Sequence, residues 1–122
     1  MSSSREKGRR GEDLAACYLQ QKGYRILARN FRCRAGEVDI VCETERTLLF
    51  VEVKSWRVLP RDALEPAIGP AKQKRIVRTA RYFLHRYAPP SEWGIRFDVV
   101  FINPETGTIR YIEGAFEAPC PE

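Results

Sequence analysis

The residues with the most chemical promise are Asp39, Glu52 and Lys54, spaced D-x12-E-x-K, with Glu12 upstream as a further acid. Two carboxylates held close together suit a hard, oxygen-loving ion such as Mg²⁺ or Mn²⁺. An ion so held can polarise a phosphoryl oxygen and activate a water. A nearby lysine can orient that water, help to deprotonate it, or offset charge building on the phosphate. The chemistry these types support is metal-dependent phosphodiester hydrolysis. Asp39 and Glu52 are then the metal ligands, Glu12 is a third acid arriving from another element, and Lys54 is the catalytic base or positioning group.

Two strands must hold them. The stretch GEVDIVCETERTLLFVEVK, from Gly36 to Lys54, reads as a hairpin. Its strands are Glu37 to Val41 and Leu48 to Lys54, both rich in β-branched residues. A turn symmetric about Glu45-Arg46 pairs Thr44 with Thr47. Counting outward places Asp39 opposite Glu52, and Glu37 opposite Lys54. Opposed residues have Cβ atoms roughly 4.5–5.5 Å apart, where two carboxylates repel unless a cation lies between them. An odd-length loop would put Asp39 and Glu52 on different faces. Glu-Arg lacks the Gly or Asn that two-residue hairpins prefer, so the turn is the critical step. The plainer account is an edge hairpin with ordinary surface charges and a Glu37–Lys54 pair.

The rest of the chain predicts one domain of 122 residues, 43% apolar, with frayed ends at 1–6 and 114–122. The opening MSSSREKGRR lacks the apolar segment of a signal peptide, and no run is long enough to span a membrane. A cytoplasmic protein is expected. Cys17, Cys33, Cys42 and Cys120 show no zinc-site spacing and the one histidine is His85, so reduced, buried thiols are expected. The net charge of +5 is clustered. The segment from Pro70 to Tyr87 carries Lys72, Lys74, Arg75, Arg78, Arg81 and Arg86 with no Asp or Glu. A second basic set near the start includes Arg9 and Arg10. Such clustering points to a polyanion, with DNA first and RNA second. The plainer account is a solvated basic face.

Along the chain, a first helix is expected from about Gly8–Gly11 to Lys22, ended by Gly23. Glu12 then lies in its first turn, where the plainer role is to complement the helix dipole. Gly8-Arg9-Arg10-Gly11 also resembles the GxxG loop of KH domains. Tyr24 to Phe31 reads as a strand with Tyr24, Ile26, Ala28 and Asn30 on one side, completing an antiparallel meander with the hairpin. Ser55 to Gly69 is irregular. Trp56, Arg57 and Arg61 are candidates to meet a substrate, with covering the core the preferred role for Trp56. Pro70 opens a second helix with an apolar stripe of Ile76, Ala80, Phe83, Leu84 and Tyr87. Continued backward, that stripe turns Lys72 and Gln73 toward the protein body. Arg75, Arg78 and Arg81 face outward. Ile95 to Ile102 is a buried strand, parallel to the Val51 strand across the helical crossover. Thr108 to Ile112 returns antiparallel. The fold class is α/β, with a mixed five-stranded sheet flanked by helices.

The blocks GRRGEDLAACYL, NFRCRAGEVDIV, LLFVEVKSW, AKQKRIVRTARYFL and RFDVVFI, in order from Lys7 to Ile112, resemble the small bacterial YraN-like proteins, which are predicted endonucleases. That family is similar to archaeal Holliday-junction resolvases and the PD-(D/E)xK nucleases. The resemblance implies a restriction-endonuclease-like fold and a Mg²⁺- or Mn²⁺-dependent nuclease site acting on DNA, including branched or recombining DNA, in a homodimer. It implies Asp39 and Glu52 as metal ligands, Lys54 as catalytic lysine, Glu12 as the helix acid, and Lys72, Gln73 and Glu37 in supporting roles. Val38 stands where the motif has proline. A non-catalytic nucleic-acid-binding protein on the same scaffold is the competing expectation, and an interaction protein for an acidic partner is the third.

Overall fold

The computed structural model describes residues 4–56 and 68–118. The elements are α1 (Ser4–Gln21), β1 (Arg25–Cys33), β2 (Gly36–Thr44), β3 (Thr47–Ser55), α2 (Pro70–Tyr87), β4 (Gly94–Ile102) and β5 (Ile109–Phe116). The strands form one sheet in the order β1-β2-β3-β4-β5, an α/β fold with helices on both faces. β3 and β4 are parallel, joined across α2, and every other neighbour is antiparallel. No helix among the described residues is long and apolar enough to cross a membrane.

The hairpin at the centre turns in two residues. Thr44 pairs with Thr47, and the register runs back to Ile40↔Val51. Glu45 and Arg46 stand at φ 40 and φ 64. Positive φ at both central positions matches the twist of flanking strands but strains a side chain with a Cβ. The turn therefore forms against the local preference of Glu-Arg, held by the pairing on either side. We expect Glu45→Asn combined with Arg46→Gly to raise stability by about 1 kcal/mol, read from a shifted urea midpoint at unchanged slope.

Each face of the sheet buries one helix. Val41, Leu48, Phe50, Phe97 and Val99 pack under α2 with Ile76, Val77, Ala80 and Phe83. Ile40, Cys42, Leu49, Val51 and Val100 pack under α1 with Ala15, Ala16 and Leu19. The α2 stripe is wider than expected: Val77 and Thr79 are also buried, whereas Tyr87 is exposed and stacks on Phe83. Thr79 tolerates burial because its hydroxyl donates to the Arg75 carbonyl at 2.8 Å. Trp56 does cover the core edge, its ring set edge-on against Phe101. Arg57 and Arg61 lie outside the described residues.

Several local expectations are corrected. α1 begins at Ser4, so Gly8-Arg9-Arg10-Gly11 is helical and no GxxG loop exists there. Gly11 is instead a packing position: a Cβ there would meet Ser55 Oγ at 2.8 Å and Ile102 Cγ2 at 3.2 Å. Only glycine lets the early part of α1 approach the ends of β3 and β4 this closely. β1 does not present Tyr24, Ile26, Ala28 and Asn30 on one side. A bulge between Ile26 and Ala28 shifts the alternation. Tyr24 and Ile26 pack on the α1 side, Ala28 and Phe31 on the α2 side. β5 continues past Ile112 to Phe116. Of the described thiols only Cys42 is buried, and burial pushes it up to about 12; Cys17 is exposed and Cys33 half-buried.

Candidate active site

The acids meet where the central hairpin opens. The β2–β3 ladder ends at Ile40↔Val51, one step short of Asp39 and Glu52. There the Asp39 side chain takes over from the backbone, its Oδ2 accepting the Val53 N–H at 2.7 Å. The side-chain alternation of β2 also breaks at this point. Alternate residues of a strand share a face, yet Val38 packs under α2 and Ile40 under α1. Asn30, which falls opposite Asp39 by count, stands at φ 53. Left-handed backbone in a strand is tolerated by Asn better than by most residues. At this break groups from both helices approach Asp39, Glu12 from α1 and Lys72 from α2.

Asp39 and Glu52 are only 9% and 6% exposed. Burial raises the Asp39 carboxyl to about 7, helped by a hydrogen bond and like charge from Glu52, against the Val53 N–H and Lys72. A cleft of about 340 Å³ opens over the pair, lined by Gly36, Glu37, Val53, Lys72, Arg75 and Ile76 as well as the two acids. From α2, Lys72 Nζ lies 3.1 Å from Glu52 Oε2. Burial works against the Lys72 charge, but Glu52 outweighs it and its pKa rises. Lys54 sits beside the same groups. Burial, then a hydrogen bond and like charge from Lys72, lower its pKa, with Glu52 and Asp39 opposing. From α1, half-buried Glu12 reaches the edge of the cluster. Burial and the Asp39 carboxylate push its carboxyl above the ordinary value, while Arg29 and a hydrogen bond from Asn30 pull it back.

The structure thus gathers Asp39, Glu52, Lys54 and Lys72, with Glu12 at the rim. Glu37 lines the cleft but pairs with Arg32 of β1 at 2.6 Å, not with Lys54. Its cross-strand partner in the β1–β2 ladder wins over the hairpin count, because Arg32 is directly opposite it. Gln73 bonds the Ile68 carbonyl at 2.9 Å and takes no part in lining the cleft. The arginines divide. Arg75 lines the cleft, Arg78 is exposed on α2, and Arg81 borders a separate, mainly apolar groove of about 590 Å³ between α2 and β4–β5. Three-residue steps rotate around a helix, so these three cannot share one spot. Arg9 and Arg10 are exposed on α1. Sequence reasoning missed Asn30, Arg29 and the cleft position of Arg75; an Asn inside a run that otherwise reads as strand was the available signal.

The donor set fits a divalent ion in kind. Among the described residues no three Asp, Glu, His or Cys side chains are arranged to hold an ion by themselves. Two adjacent carboxylates are nevertheless present, and Glu52 Oε2 is buried without a well-aligned hydrogen-bond donor. Mg²⁺ retains several waters and needs only one or two carboxylates from the protein.

Comparison with known proteins places the chain. The model of the uncharacterised protein family UPF0102 matches residues 11–102, which include Glu12, Asp39, Glu52, Lys54 and Lys72. A UPF0102 protein of Syntrophus aciditrophicus is 42% identical over 119 residues, covering 96% of this chain and 93% of the relative. One from Geobacter sulfurreducens is 46% identical over 113 residues, covering 90% and 88%. One from Lachnoclostridium phytofermentans is 47% identical over 107 residues, covering 88% and 89%. With most of its length matched by the family model and by full-length relatives, the chain belongs to the UPF0102 family.

Proposed function

We propose that this UPF0102 protein is a divalent-metal-dependent endonuclease that hydrolyses DNA phosphodiester bonds. The observation that carries this reading is the buried Asp39–Glu52 pair, set beside Lys54 and Lys72 under an open cleft. Burying two acids side by side costs stability unless a cation or proton joins them, so a fold that keeps them has a use for the pair. Asp39 and Glu52 would hold Mg²⁺ or Mn²⁺, and Glu12 of α1 would add negative charge at the rim through its interaction with Asp39. That ion supplies Lewis acidity toward a phosphate oxygen and lowers the pKa of a water. Lys54, its own pKa lowered, orients the attacking water and accepts or shares its proton. Lys72 and Arg75 line the cleft and would meet the non-bridging oxygens of a phosphate bound there. The similarity of GEVDIV and FVEVK to the PD-(D/E)xK motif supports the same roles, and extends the reading to branched DNA and to a homodimer.

The test is incubation of labelled duplex, single-stranded and branched DNA with Mg²⁺ or Mn²⁺. Wild-type protein is expected to cut at least one substrate, and a chelator to stop it. Lys54→Ala is expected to lower the rate about 100-fold, the usual scale for loss of a positioned proton-transfer group. Full activity in Lys54→Ala would remove that residue from the mechanism.

A second reading has an observation of its own. The Lys72 ammonium already neutralises Glu52 in this structure, as it would in a binding protein that never takes up metal. That protein would show no saturable Mn²⁺ binding and would cut nothing.

A further inference from the structure

We propose that the outer ridge of α2 is a track for unpaired DNA leading into the acid cleft, with Tyr82 as its base-stacking platform. The inference builds on the nucleic-acid reading above and names the form of DNA the site accepts. Arg78, Tyr82 and Arg86 are spaced i, i+4, i+8 and so stand in one row on the helix. Lys74 continues that row backward, and its neighbour Arg75, offset by roughly 60° around the axis from Arg78, lines the cleft itself. Along the axis, Arg75 to Arg86 spans roughly 16 Å at about 1.5 Å per residue, room for two or three nucleotides of extended single strand.

Tyr82 is the feature that charge alone does not explain. It is 45% exposed, an aromatic ring on the polar side of an otherwise amphipathic helix. Its ring is backed by Phe31 of β1, with centroids 6.1 Å apart, and the Arg86 guanidinium lies 5.8 Å from its centroid. An exposed ring backed by Phe31 and capped by the Arg86 guanidinium is a platform that an unpaired base occupies by displacing the guanidinium, which then turns to the phosphate beside it. No Asp or Glu occurs between Pro70 and Tyr87 to repel the backbone. Paired bases bury their faces against one another, so an aromatic platform can read only nucleotides that are unpaired. The cleft would then receive a phosphate next to a single-stranded segment, as at a branch or a tail.

The experiment measures DNA binding by fluorescence anisotropy without divalent metal, where nothing can be cut. The probes are an oligothymidylate, a duplex with a single-stranded tail, and a blunt duplex. Tyr82→Ala is expected to weaken binding of the first two roughly ten-fold, the scale of one lost base–aromatic stack, and of the blunt duplex by less than about two-fold. Tyr82→Phe, which keeps the ring, is expected to bind as wild type. Arg78→Gln with Arg86→Gln is expected to lessen the salt dependence on all three probes. Unchanged binding of the oligothymidylate by Tyr82→Ala would overturn the proposal, as would an equal loss on all three probes. Because binding is read without cleavage, a protein that shows this Tyr82 dependence but never cuts DNA upholds the track and removes only the nuclease reading.

Discussion

Asp39→Asn is expected to lower the proposed cleavage activity about 1,000-fold and, in metal-free buffer at neutral pH, to stabilise the fold. The two effects have one cause. In the folded protein the Asp39 carboxyl is raised from its ordinary 3.8 to about 7, first by burial and then by Glu52. Between those values the native state holds a proton that the unfolded chain has released. Stability therefore falls as pH rises. The contribution of the protonated carboxyl is fully present below about pH 3.8 and lost as pH climbs through about 7. A difference of that size corresponds to at most roughly 4 kcal/mol. Glu12, raised in the same direction, adds to the slope. Asn can still accept the Val53 N–H but carries no charge to desolvate, so most of the slope should vanish in Asp39→Asn. Urea unfolding at a series of pH values from 4 to 8, with chelator, checks the sign. A metal-free wild type that gains stability over that range would refute the assignment. Adding Mg²⁺ should reverse the wild-type trend, because an ion bound to the native state stabilises it by mass action. Asp39→Asn should lose that response together with cleavage, which we expect to fall about 1,000-fold on the scale of losing a principal electrostatic stabiliser.

The second large effect lies away from the cleft. Asp98→Ala is expected to destabilise the protein by about 3 kcal/mol. Asp98 is 1% exposed, in the middle of β4. Its carboxylate takes two bonds from Arg96, each at 2.9 Å, one from the Gly114 N–H at 2.9 Å, and a short one from the Tyr111 hydroxyl. Burial and the bond to Asp98 raise the Tyr111 pKa, and the Asp98 bond raises that of Arg96. The β4–β5 ladder shifts register at this point, and Asp98 supplies the partner that the Gly114 N–H needs there. Removing the carboxylate strands that N–H and the Tyr111 hydroxyl in a poorly solvated place. Arg96 keeps part of its surface in water, which holds the loss below that of a wholly buried ion pair. Thermal and denaturant midpoints measure it. Cleavage of the folded fraction should be unchanged, since Asp98 does not line the cleft.

Much of the frame is legible in the sequence. Period-two runs and the Pro70 and Gly23 signals mark the elements in order, and β-branched runs joined across a helix give the parallel β3–β4 pair. The hairpin register follows from counting, because strand pairing is rigid and a two-residue turn leaves one solution. That count puts Asp39 across from Glu52 and leaves Lys54 on the same side of β3. The same counting fails for Glu37. It treats β2 as having one neighbour, whereas β2 is central and Arg32 of β1 takes the carboxylate. It also fails for β1, where one inserted residue moves Ala28 and Phe31 to the other face from Ile26.

What the sequence alone determined is therefore the central strand pair and the acids it carries, because backbone pairing is local and periodic. What only the tertiary structure decided is what surrounds those acids. The break in alternation at Asp39 and Asn30, the entry of Glu12 from α1 and the contact of Lys72 with Glu52 depend on sheet twist and on how each helix seats against its face. Those are set by packing between residues far apart in the chain, and no spacing along one strand or helix encodes them.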